Sequence, residues 1–307
     1  LAEGNVMDYN FMSADQDGAA LVWKSENQSG TAPWSITEDL TFRSNIVRHA
    51  AGALRMSNNK GNAQPTARIL MENNLFYDIS MANWGDGVGL GEFLQPDDNT
   101  QDLVVRHNTY DGDGQKVIYF LGTTLRSGFI FQDNIMTRNL QGVMGDGFAE
   151  GTASLAKFAP GYVFTKNVIA GAGASAYPAG NFFPASMDAV GFSARATGNY
   201  RLTAASPYKN AGSDGKDLGA DMDVLEAATL CYISGLCGGA PPPPPPPAAS
   251  CDINGDGAAN VVDVQLSVNQ ALQVAACTTD LNRDGACNVV DVQRVVNAAL
   301  GGACVSL

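Results

Sequence analysis

The feature that most constrains the fold of this chain is a short β-rich segment that recurs six times and carries an asparagine at the same place each time. The interval between successive asparagines varies, at 40, 29, 34, 26 and 33 residues. A recurring strand with loops of unequal length predicts a solenoid whose coils stack. The segments are LAEGNVM (1–7), LTFRSNIV (40–47), ILMENNLF (69–76), LVVRHNTY (103–110), FIFQDNIM (129–136) and YVFTKNVI (162–169), with Asn5, Asn45, Asn74, Asn108, Asn134 and Asn167 at the shared position.

The positions around each asparagine show the pattern expected of stacked strands. Two residues before it the series begins Glu3, Arg43, Glu72, Arg106, so neighbouring coils carry opposite charges. Because strands in a sheet lie about 4.8 Å apart, we expect these side chains to pair on the solvent face. We expect the asparagines to form an inward ladder at a bend, each amide bonding the next coil. The apolar column three residues before the asparagine predicts a buried file: Ala2, Phe42, Met71, Val105, Phe131 and Phe164.

This pattern resembles the right-handed parallel β-helix superfamily, which includes pectate-lyase-like and other polysaccharide-active proteins. The resemblance extends through residues 1–225, and residues 199–223 look like the tail that closes such helices. It predicts an all-β right-handed parallel β-helix over residues 1–230. Relatives are expected to have further coils upstream, whereas Leu1 begins inside a coil motif. An uncapped solenoid end would expose an edge for stacking, and we interpret the chain as a processed or trimmed product.

The same resemblance implies that a lyase would use an arginine or lysine base, often with a carboxylate-bound Ca²⁺. Each candidate also has a structural interpretation, because Arg106 belongs to the charge column and Asp-Gly pairs favour turns. A hydrolase needs two or three carboxylates on one face, whereas the strand motifs offer Glu3 and Glu72, separated by Arg43. We therefore predict no catalytic residues. The candidates considered are Arg48, His49, Arg106, His107, Lys166 and the DGDG stretch Asp111–Gly114.

The composition changes abruptly after residue 230. Residues 231–237 read CYISGLC, and the segment GGAPPPPPPPAAS follows. Seven consecutive prolines favour a polyproline II rod of roughly 20 Å, which would act as a semi-rigid spacer. We predict a disulfide loop and polyproline linker over residues 231–250.

The last part of the chain, residues 251–307, holds two copies of one unit, 28 residues apart. Oxygen-bearing residues recur at loop positions 1, 3, 5, 9 and 12, and Gly257 and Gly285 stand at position 6, where the loop must turn sharply. This is the EF-hand ligand order, with Asp in place of the usual Glu at position 12. The expected metal ligands, with a backbone carbonyl at position 7, are Asp252, Asn254, Asp256, Ala258, Asn260 and Asp263 in the first loop and Asp280, Asn282, Asp284, Ala286, Asn288 and Asp291 in the second.

A loop followed by one helix, in tandem, resembles a dockerin domain, the calcium-dependent module that docks onto cohesin domains. The resemblance implies two Ca²⁺ ions and a protein partner. Six Asp and two Arg give the module a net charge of −4, which two Ca²⁺ would cancel, so we predict calcium-dependent folding. At positions 10 and 11, where dockerins of the best-known type present small polar residues, the chain has Val261–Val262 and Val289–Val290. These valines could belong either to the core of the module or to an apolar docking surface.

All six cysteines lie between residues 231 and 304. An even number confined to a short region indicates disulfides and an oxidising compartment. Six cysteines allow 15 pairings. We expect Cys231–Cys237, Cys251–Cys304 and Cys277–Cys287; a zinc site is rejected because the region has neither a CxxC pair nor a nearby histidine.

The net charge of −13 argues against a nucleic-acid partner, because binding a phosphate backbone needs clustered Lys and Arg. No apolar run is long enough to span a bilayer. Because the cysteines indicate an oxidising compartment, we expect an extracellular, bacterial-type secreted protein.

Two functions from different classes fit these features, and a third lies between them. The favoured hypothesis is a calcium-binding structural protein whose dockerin-like module docks onto a cohesin-like domain or a neighbouring copy, forming filaments or tubes. The alternatives are a polysaccharide-active lyase or hydrolase tethered by its dockerin, and a glycan-binding protein without catalysis.

Overall fold

Six stacked coils of short strands make up most of the first of two structural units. The computed structural model describes residues 1–10, 18–27, 30–56, 64–85, 91–96, 100–122, 127–233, 251–281, 285–302 and 304. The chain divides into Leu1–Leu236 and Cys237–Leu307. Residues 234–250, which include the predicted polyproline rod, lie outside the described residues.

The first three coils contain nine strands and one short helix. They are β1 (Ala2–Glu3), β2 (Val6–Asn10), β3 (Ala19–Trp23), β4 (Thr37–Arg43), β5 (Ile46–Ala50), β6 (Gly52–Met56), β7 (Thr66–Glu72), β8 (Leu75–Ser80), α1 (Met81–Trp84) and β9 (Leu94–Pro96).

The next three coils have shorter strands and a second helix, and an irregular tail follows them. These elements are β10 (Thr100–Arg106), β11 (Thr109–Asp113), β12 (Ile118–Phe120), β13 (Ile130–Gln132), β14 (Ile135–Thr137), β15 (Val143–Gly145), α2 (Thr152–Phe158), β16 (Val163–Thr165), β17 (Val168–Ala170), 3₁₀ turns at Ala174–Ala176, Met187–Val190 and Arg195–Thr197, β18 (Phe192–Ala194), β19 (Asn199–Leu202) and α3 (Met222–Ile233). Helix α3 runs through residue 230, so the predicted domain boundary falls inside a helix.

Three parallel sheets take one strand from each coil in turn, except that sheet C, among the described residues, has no strand from the sixth coil. Sheet A has the order β1-β4-β7-β10-β13-β16, sheet B the order β2-β5-β8-β11-β14-β17 and sheet C the order β3-β6-β9-β12-β15. A chain that visits three parallel sheets in rotation follows the path of a parallel β-helix, as the recurring segments predict. The right-handed sense of the coil stays a prediction. Strands β18 and β19 form a separate antiparallel pair.

Each recurring segment is two strands, one in sheet A and one in sheet B, joined by a bend. The residue before every ladder asparagine has a left-handed backbone, with φ between 51° and 68°. This conformation turns the chain sharply. The segment therefore passes from sheet A to sheet B at the bend, although it reads as one continuous apolar stretch in the sequence. The bend residues are Gly4, Ser44, Asn73, His107, Asp133 and Lys166.

The asparagines form the expected ladder inside the bends. The side-chain oxygen of each accepts the backbone N–H and a side-chain N–H of the asparagine in the preceding coil, at 2.9 to 3.1 Å. Asn181 continues the ladder, because its oxygen accepts both groups from Asn167 at 3.0 Å. Asn181 does not belong to the six recurring segments, because it lies outside any strand-like segment and only 14 residues after Asn167.

The predicted charge column pairs as expected. Arg43 bonds Glu3 at 2.7 Å, and Arg106 forms an ion pair with Glu72 at an N–O distance of 2.8 Å. The register aligns Glu3 with Arg43, Arg43 with Glu72, and Glu72 with Arg106. These side chains are partly exposed to solvent, so the pairs add little to stability and mainly favour this register.

The column three residues before each asparagine forms the solenoid core. Phe42, Met71, Val105 and Phe131 are at most 1% exposed, and Phe164 is 3% exposed. The rings of Phe131 and Phe164 stack with centroids 5.3 Å apart. Burying side chains of this size stabilises the fold by about 2 kcal/mol each.

The tail folds back along the outside of the coils toward the first one. Ser213 N bonds Asp133 Oδ1 at 2.8 Å, Ala220 N bonds Thr109 Oγ1 at 2.9 Å, and Asp221 N bonds Asn73 Oδ1 at 2.6 Å. These partners lie in successively earlier coils. The tail thereby covers the outward apolar column that follows the ladder, burying Ile46, Leu75, Ile135 and Val168 under Met187, Val190, Tyr200, Tyr208, Leu218, Met222 and Leu225.

The second unit is built on two helices, α4 (Val261–Ala271) and α5 (Val289–Ala299), which begin at position 10 of each repeated loop. Its small core joins Cys251, Leu281 and Val295, each at most 1% exposed. The helices predicted after the two loops are both present.

Candidate functional site: two repeated loops and a carboxylate-lined cavity

The first repeated loop curls around the carboxylate of Asp252. This carboxylate accepts the N–H of Asp256 at 3.1 Å and of Gly257 at 2.8 Å. Gly257 has φ +96°, a conformation that side-chain-bearing residues rarely adopt, which explains glycine at loop position 6. Asp256 in turn accepts the amide N–H of Asn254 at 2.8 Å, so these two side chains lie together on one side of the loop.

The carboxylate at position 12, Asp263, joins the loop to helix α4. It accepts the backbone N–H groups of Ile253 at 2.7 Å, Asn254 at 3.1 Å and Asn260 at 2.9 Å, and it is fully buried. The bond from Asn260 closes a capping box at the start of α4. Burial alone would raise the pKa of Asp263, but these backbone N–H groups hold it below its usual value.

The second loop repeats this geometry. Gly285, with φ +89°, donates its N–H to Asp280 at 2.9 Å. Asp291, 1% exposed, accepts the N–H of Leu281 at 2.7 Å and of Asn288 at 2.9 Å, closing a second capping box. Two loops with the same bonds at the same positions indicate one structural unit used twice. The expected ligands Asn282 and Asp284 lie outside the described residues.

The loops supply the type of donor that a hard divalent cation prefers. Carboxylate and amide oxygens stand at positions 1, 3, 5 and 12 of the first loop, and oxygen ligands are what Ca²⁺ binds. The position-7 carbonyls of Ala258 and Ala286 accept the side-chain amides of Asn260 and Asn288, at 3.1 and 3.4 Å. Across the part of the chain that the structure describes, no three His, Cys, Asp or Glu side chains are grouped to hold a metal ion. The loop carboxylates bond backbone N–H groups instead.

Two disulfides brace this unit. Cys251 pairs with Cys304 and Cys277 pairs with Cys287, with Cα atoms 5.8 and 5.5 Å apart. Cys251 immediately precedes the first loop and Cys287 lies inside the second, so both loops are covalently anchored. These are two of the three pairs expected from the sequence, and the third, Cys231–Cys237, lies outside the described side chains.

The valines at positions 10 and 11 lie on the surface. Val261 and Val289 are 77% and 75% exposed, and Val262 and Val290 are 50% and 41% exposed. Of the two interpretations that the sequence left open, core and surface, the structure shows surface. Both loops thus present an exposed apolar pair beside the first turn of a helix.

The catalytic candidates of the solenoid serve mainly in ion pairs and ring contacts. Arg48 bonds Asp8 at 2.7 Å and the Tyr77 hydroxyl at 2.6 Å. Arg106 holds Glu72, as described above. Lys166 lies 5.8 Å from the ring centre of Phe182. These cations lie in different coils and do not form one site.

The two histidines lie among carboxylates at different bends. His49 Nδ1 bonds Asp8, and its Nε2 lies 3.5 Å from Asp78. His107 Nε2 lies 3.3 Å from Asp214, in the tail, and 3.7 Å from Asp133.

A cavity of about 680 Å³ lies between the outer face of sheet B and the tail. Carboxylates from two neighbouring coils and from the tail line it: Asp78, Asp111, Asp113 and Asp188. Of these four, the sequence had offered Asp111 and Asp113 as candidates, in the DGDG stretch, but had not connected them with Asp78 or Asp188. It missed this group because Asp78 lies at a left-handed bend and Asp188 joins through a tail contact. The DGDG stretch, which supplies two of the four, was the available signal.

Comparison of the chain with protein-family models, curated proteins and solved structures finds no match.

Proposed function

We propose that this chain is an extracellular calcium-binding structural protein whose C-terminal unit docks onto a neighbouring copy of the same chain. The observation that carries the proposal is the pair of repeated loops, each placing an exposed valine pair at the start of its helix. The disulfides fit an oxidising compartment. No helix among the described residues has the length and apolar character needed to cross a membrane.

Calcium binding is inferred from the donor set of the loops. Asp252, Asn254, Asp256 and Asp263 provide the oxygen ligands in the first loop, and the second loop repeats the series. Bound Ca²⁺ would neutralise the clustered carboxylates and join the loop to its helix. The chain's own part is to hold that loop ready, through the left-handed glycine and the capping box described above.

Docking is inferred from exposed apolar surface. Val261 and Val289 are 77% and 75% exposed, and each is followed by a second exposed valine. Exposed apolar side chains that lie next to one another can mark an interaction site. The solenoid unit also exposes apolar side chains on two segments, Val22, Trp34 and Ile36, which are 51%, 76% and 48% exposed; we take these three as the receiving surface and call them the apolar patch. Thr37 ties its two segments together with hydrogen bonds of 2.7 Å to Ser25 and Lys24.

A contact between two different surfaces of identical chains is heterologous. Such a contact builds rings when its rotation closes and open filaments when it does not. We therefore expect calcium-dependent assembly, with the valines of one copy on the apolar patch of the next.

The test compares particle mass, by analytical ultracentrifugation and negative-stain microscopy, in Ca²⁺ and in EGTA. Wild type should assemble in Ca²⁺ and be monomeric in EGTA. The double variant Val261→Asp/Val289→Asp and the single variant Trp34→Asp should stay monomeric in Ca²⁺. Leu140→Asp, at a solenoid residue that is 64% exposed and outside the patch, is the matched control and should assemble.

Two results would count against the proposal. Monomeric wild type in Ca²⁺ would overturn self-assembly. Normal assembly of Trp34→Asp would overturn the apolar patch as the receiving surface.

The lyase alternative gains little from the geometry. Its base candidates Arg48 and Arg106 are held by carboxylates, as described above, and a base must be free to take a proton.

A further inference from the structure

The two repeated loops differ in the residue that follows the asparagine at position 3. Asn254 of the first loop is followed by Gly255, whereas Asn282 of the second loop is followed by Arg283. Asn254–Gly255 is the only Asn–Gly pair in the sequence. The backbone nitrogen after an asparagine can attack the side-chain amide carbon, and glycine places no side chain in the way of that attack. The two loops therefore differ in the chemical stability of the asparagine at position 3.

The side-chain amide of Asn254 is folded back along the loop. Its oxygen accepts the backbone N–H of Asp256 at 3.0 Å, and its nitrogen donates to the Asp256 carboxylate at 2.8 Å. A bond from an asparagine side chain to the backbone two residues further on is an Asx turn. The ring that this bond closes contains both the amide carbon of Asn254 and the backbone nitrogen of Gly255. The accepted N–H also draws electrons from the amide carbon, which makes this carbon easier to attack.

The backbone nitrogen of Gly255 is open to solvent. The N–H groups on either side of it donate to carboxylates: that of Asn254 bonds Asp263 at 3.1 Å. That of Asp256 bonds Asp252, also at 3.1 Å. Among the residues that the structure describes, the N–H of Gly255 has no acceptor. Because Asn254 and Gly255 are both exposed, this N–H can pass its proton to water without breaking a bond of the loop.

Open space around Gly255 lets the backbone turn toward the attack. Its φ is +69°, and a Cβ added there would meet no atom within 4 Å. Glycine moves between positive and negative φ at little cost, so the loop can reach the geometry that ring closure needs. The ladder asparagines are the opposite case, because Asn45 and Asn74 are fully buried and their amides are bonded on both sides. The fold protects these two and leaves Asn254 open to reaction.

We propose that Asn254 is a site of spontaneous deamidation. The backbone nitrogen of Gly255 forms a bond to Cγ of Asn254, and the bond between Cγ and Nδ2 breaks. Nδ2 leaves as ammonia, taking up a proton in place of the one that Gly255 N–H gives to solvent. The cyclic succinimide that results is opened by water at either carbonyl, which yields aspartate or isoaspartate. In total an amide and water become a carboxylate and ammonium, so the step needs neither an enzyme nor an oxidant.

The reaction changes the first loop and leaves the second as it is. An aspartate product adds a negative charge next to those of Asp252 and Asp256. An isoaspartate product adds a methylene group to the main chain, which lengthens the loop between Asp252 and Gly257, the two residues whose bond closes it. Deamidation does not rest on the calcium binding proposed above. Where the loops bind Ca²⁺, the change falls on an expected ligand, and the two sites stop being equivalent.

The test incubates the folded full chain in EGTA at neutral pH and follows its proteolytic peptides by tandem mass spectrometry. Replacement of NH₂ by OH raises the mass at the modified residue, and isoaspartyl methyltransferase labels the isoaspartate product. Asn254 should convert at least about tenfold faster than Asn282. Asn282 is the matched control, because it stands at the same loop position in the same sample. With EGTA present, the result does not depend on whether the loops bind Ca²⁺.

Exchanging the residues at position 4 gives two reciprocal variants, whose folding is checked by circular dichroism. Gly255→Arg should slow the reaction at Asn254 at least about tenfold, and Arg283→Gly should speed it at Asn282 by a similar factor. Equal rates at the two asparagines of wild type would overturn the proposal, as would unchanged rates in the folded variants. A further comparison uses the chain unfolded in urea. If Asn254 reacts there but stays intact in the folded chain, the loop protects it and the proposal is wrong.

Discussion

Asp263 shows how much of the C-terminal unit depends on one residue type at one position. Its carboxylate satisfies three backbone N–H groups, two from the loop and one at the helix start. Asparagine has a single side-chain oxygen and would turn an N–H group toward these donors. The position-12 aspartate is therefore required by the fold, whether or not a metal is present.

We predict that Asp263→Asn lowers the free energy of unfolding of the C-terminal unit by about 2 kcal/mol in EGTA, because buried N–H groups lose their acceptor. Thermal unfolding followed by circular dichroism measures it. Asp256→Asn, in the exposed part of the same loop, is the control and should cost less than about half as much. Equal losses in the two variants would contradict the special role of Asp263.

At the scale of elements, the asparagine ladder is the part of the fold that the sequence predicts best. A polar residue at one place in six apolar segments has few physical explanations besides a bend that needs its backbone groups satisfied. It was harder to predict that each segment contains two strands. The left-handed residues at the bends include Ser44 and Lys166, and residues of these types do not indicate a left-handed turn in a sequence as glycine does. Asn181 was missed because its coil lacks a strand-like segment.

We predict that Asn134→Ala lowers the free energy of unfolding of the solenoid unit by about 3 kcal/mol, because the buried N–H of Asn108 loses its acceptor. Denaturant unfolding monitored by tryptophan fluorescence measures it. Asn5→Ala is the matched control in the same ladder. Asn5 is exposed, so its loss should cost less than about 1 kcal/mol. A small cost at Asn134 would show that water or the neighbouring coil replaces the missing amide.

At the scale of the whole molecule, the sequence predicts two units and the repeated loops but not the carboxylate-lined cavity. Repeats can be found in a sequence because their copies resemble one another. The cavity depends on the tail returning along the coils, which brings Arg195 to Asp111 across 84 residues of sequence. No local pattern encodes that contact, because it is decided by which outward apolar column the tail covers.

We predict that calorimetric unfolding of the full chain shows two transitions, of which only one responds to calcium. Saturating Ca²⁺ should stabilise the C-terminal unit by about 3 to 4 kcal/mol over EGTA, by linkage of binding to folding. The transition of the solenoid unit should not move. If neither transition shifts, the loops do not bind Ca²⁺, and if both shift, the binding site is not confined to the C-terminal unit.

The ladder has one further consequence. The five amides from Asn45 to Asn167 point the same way, each with its oxygen toward the asparagine of the earlier coil and an N–H toward the next asparagine of the ladder. Aligned amide dipoles add, and chains of hydrogen bonds polarise one another. The ladder therefore carries a net dipole along the axis of the solenoid. Its negative end lies at the first coil and its positive end lies toward Asn181.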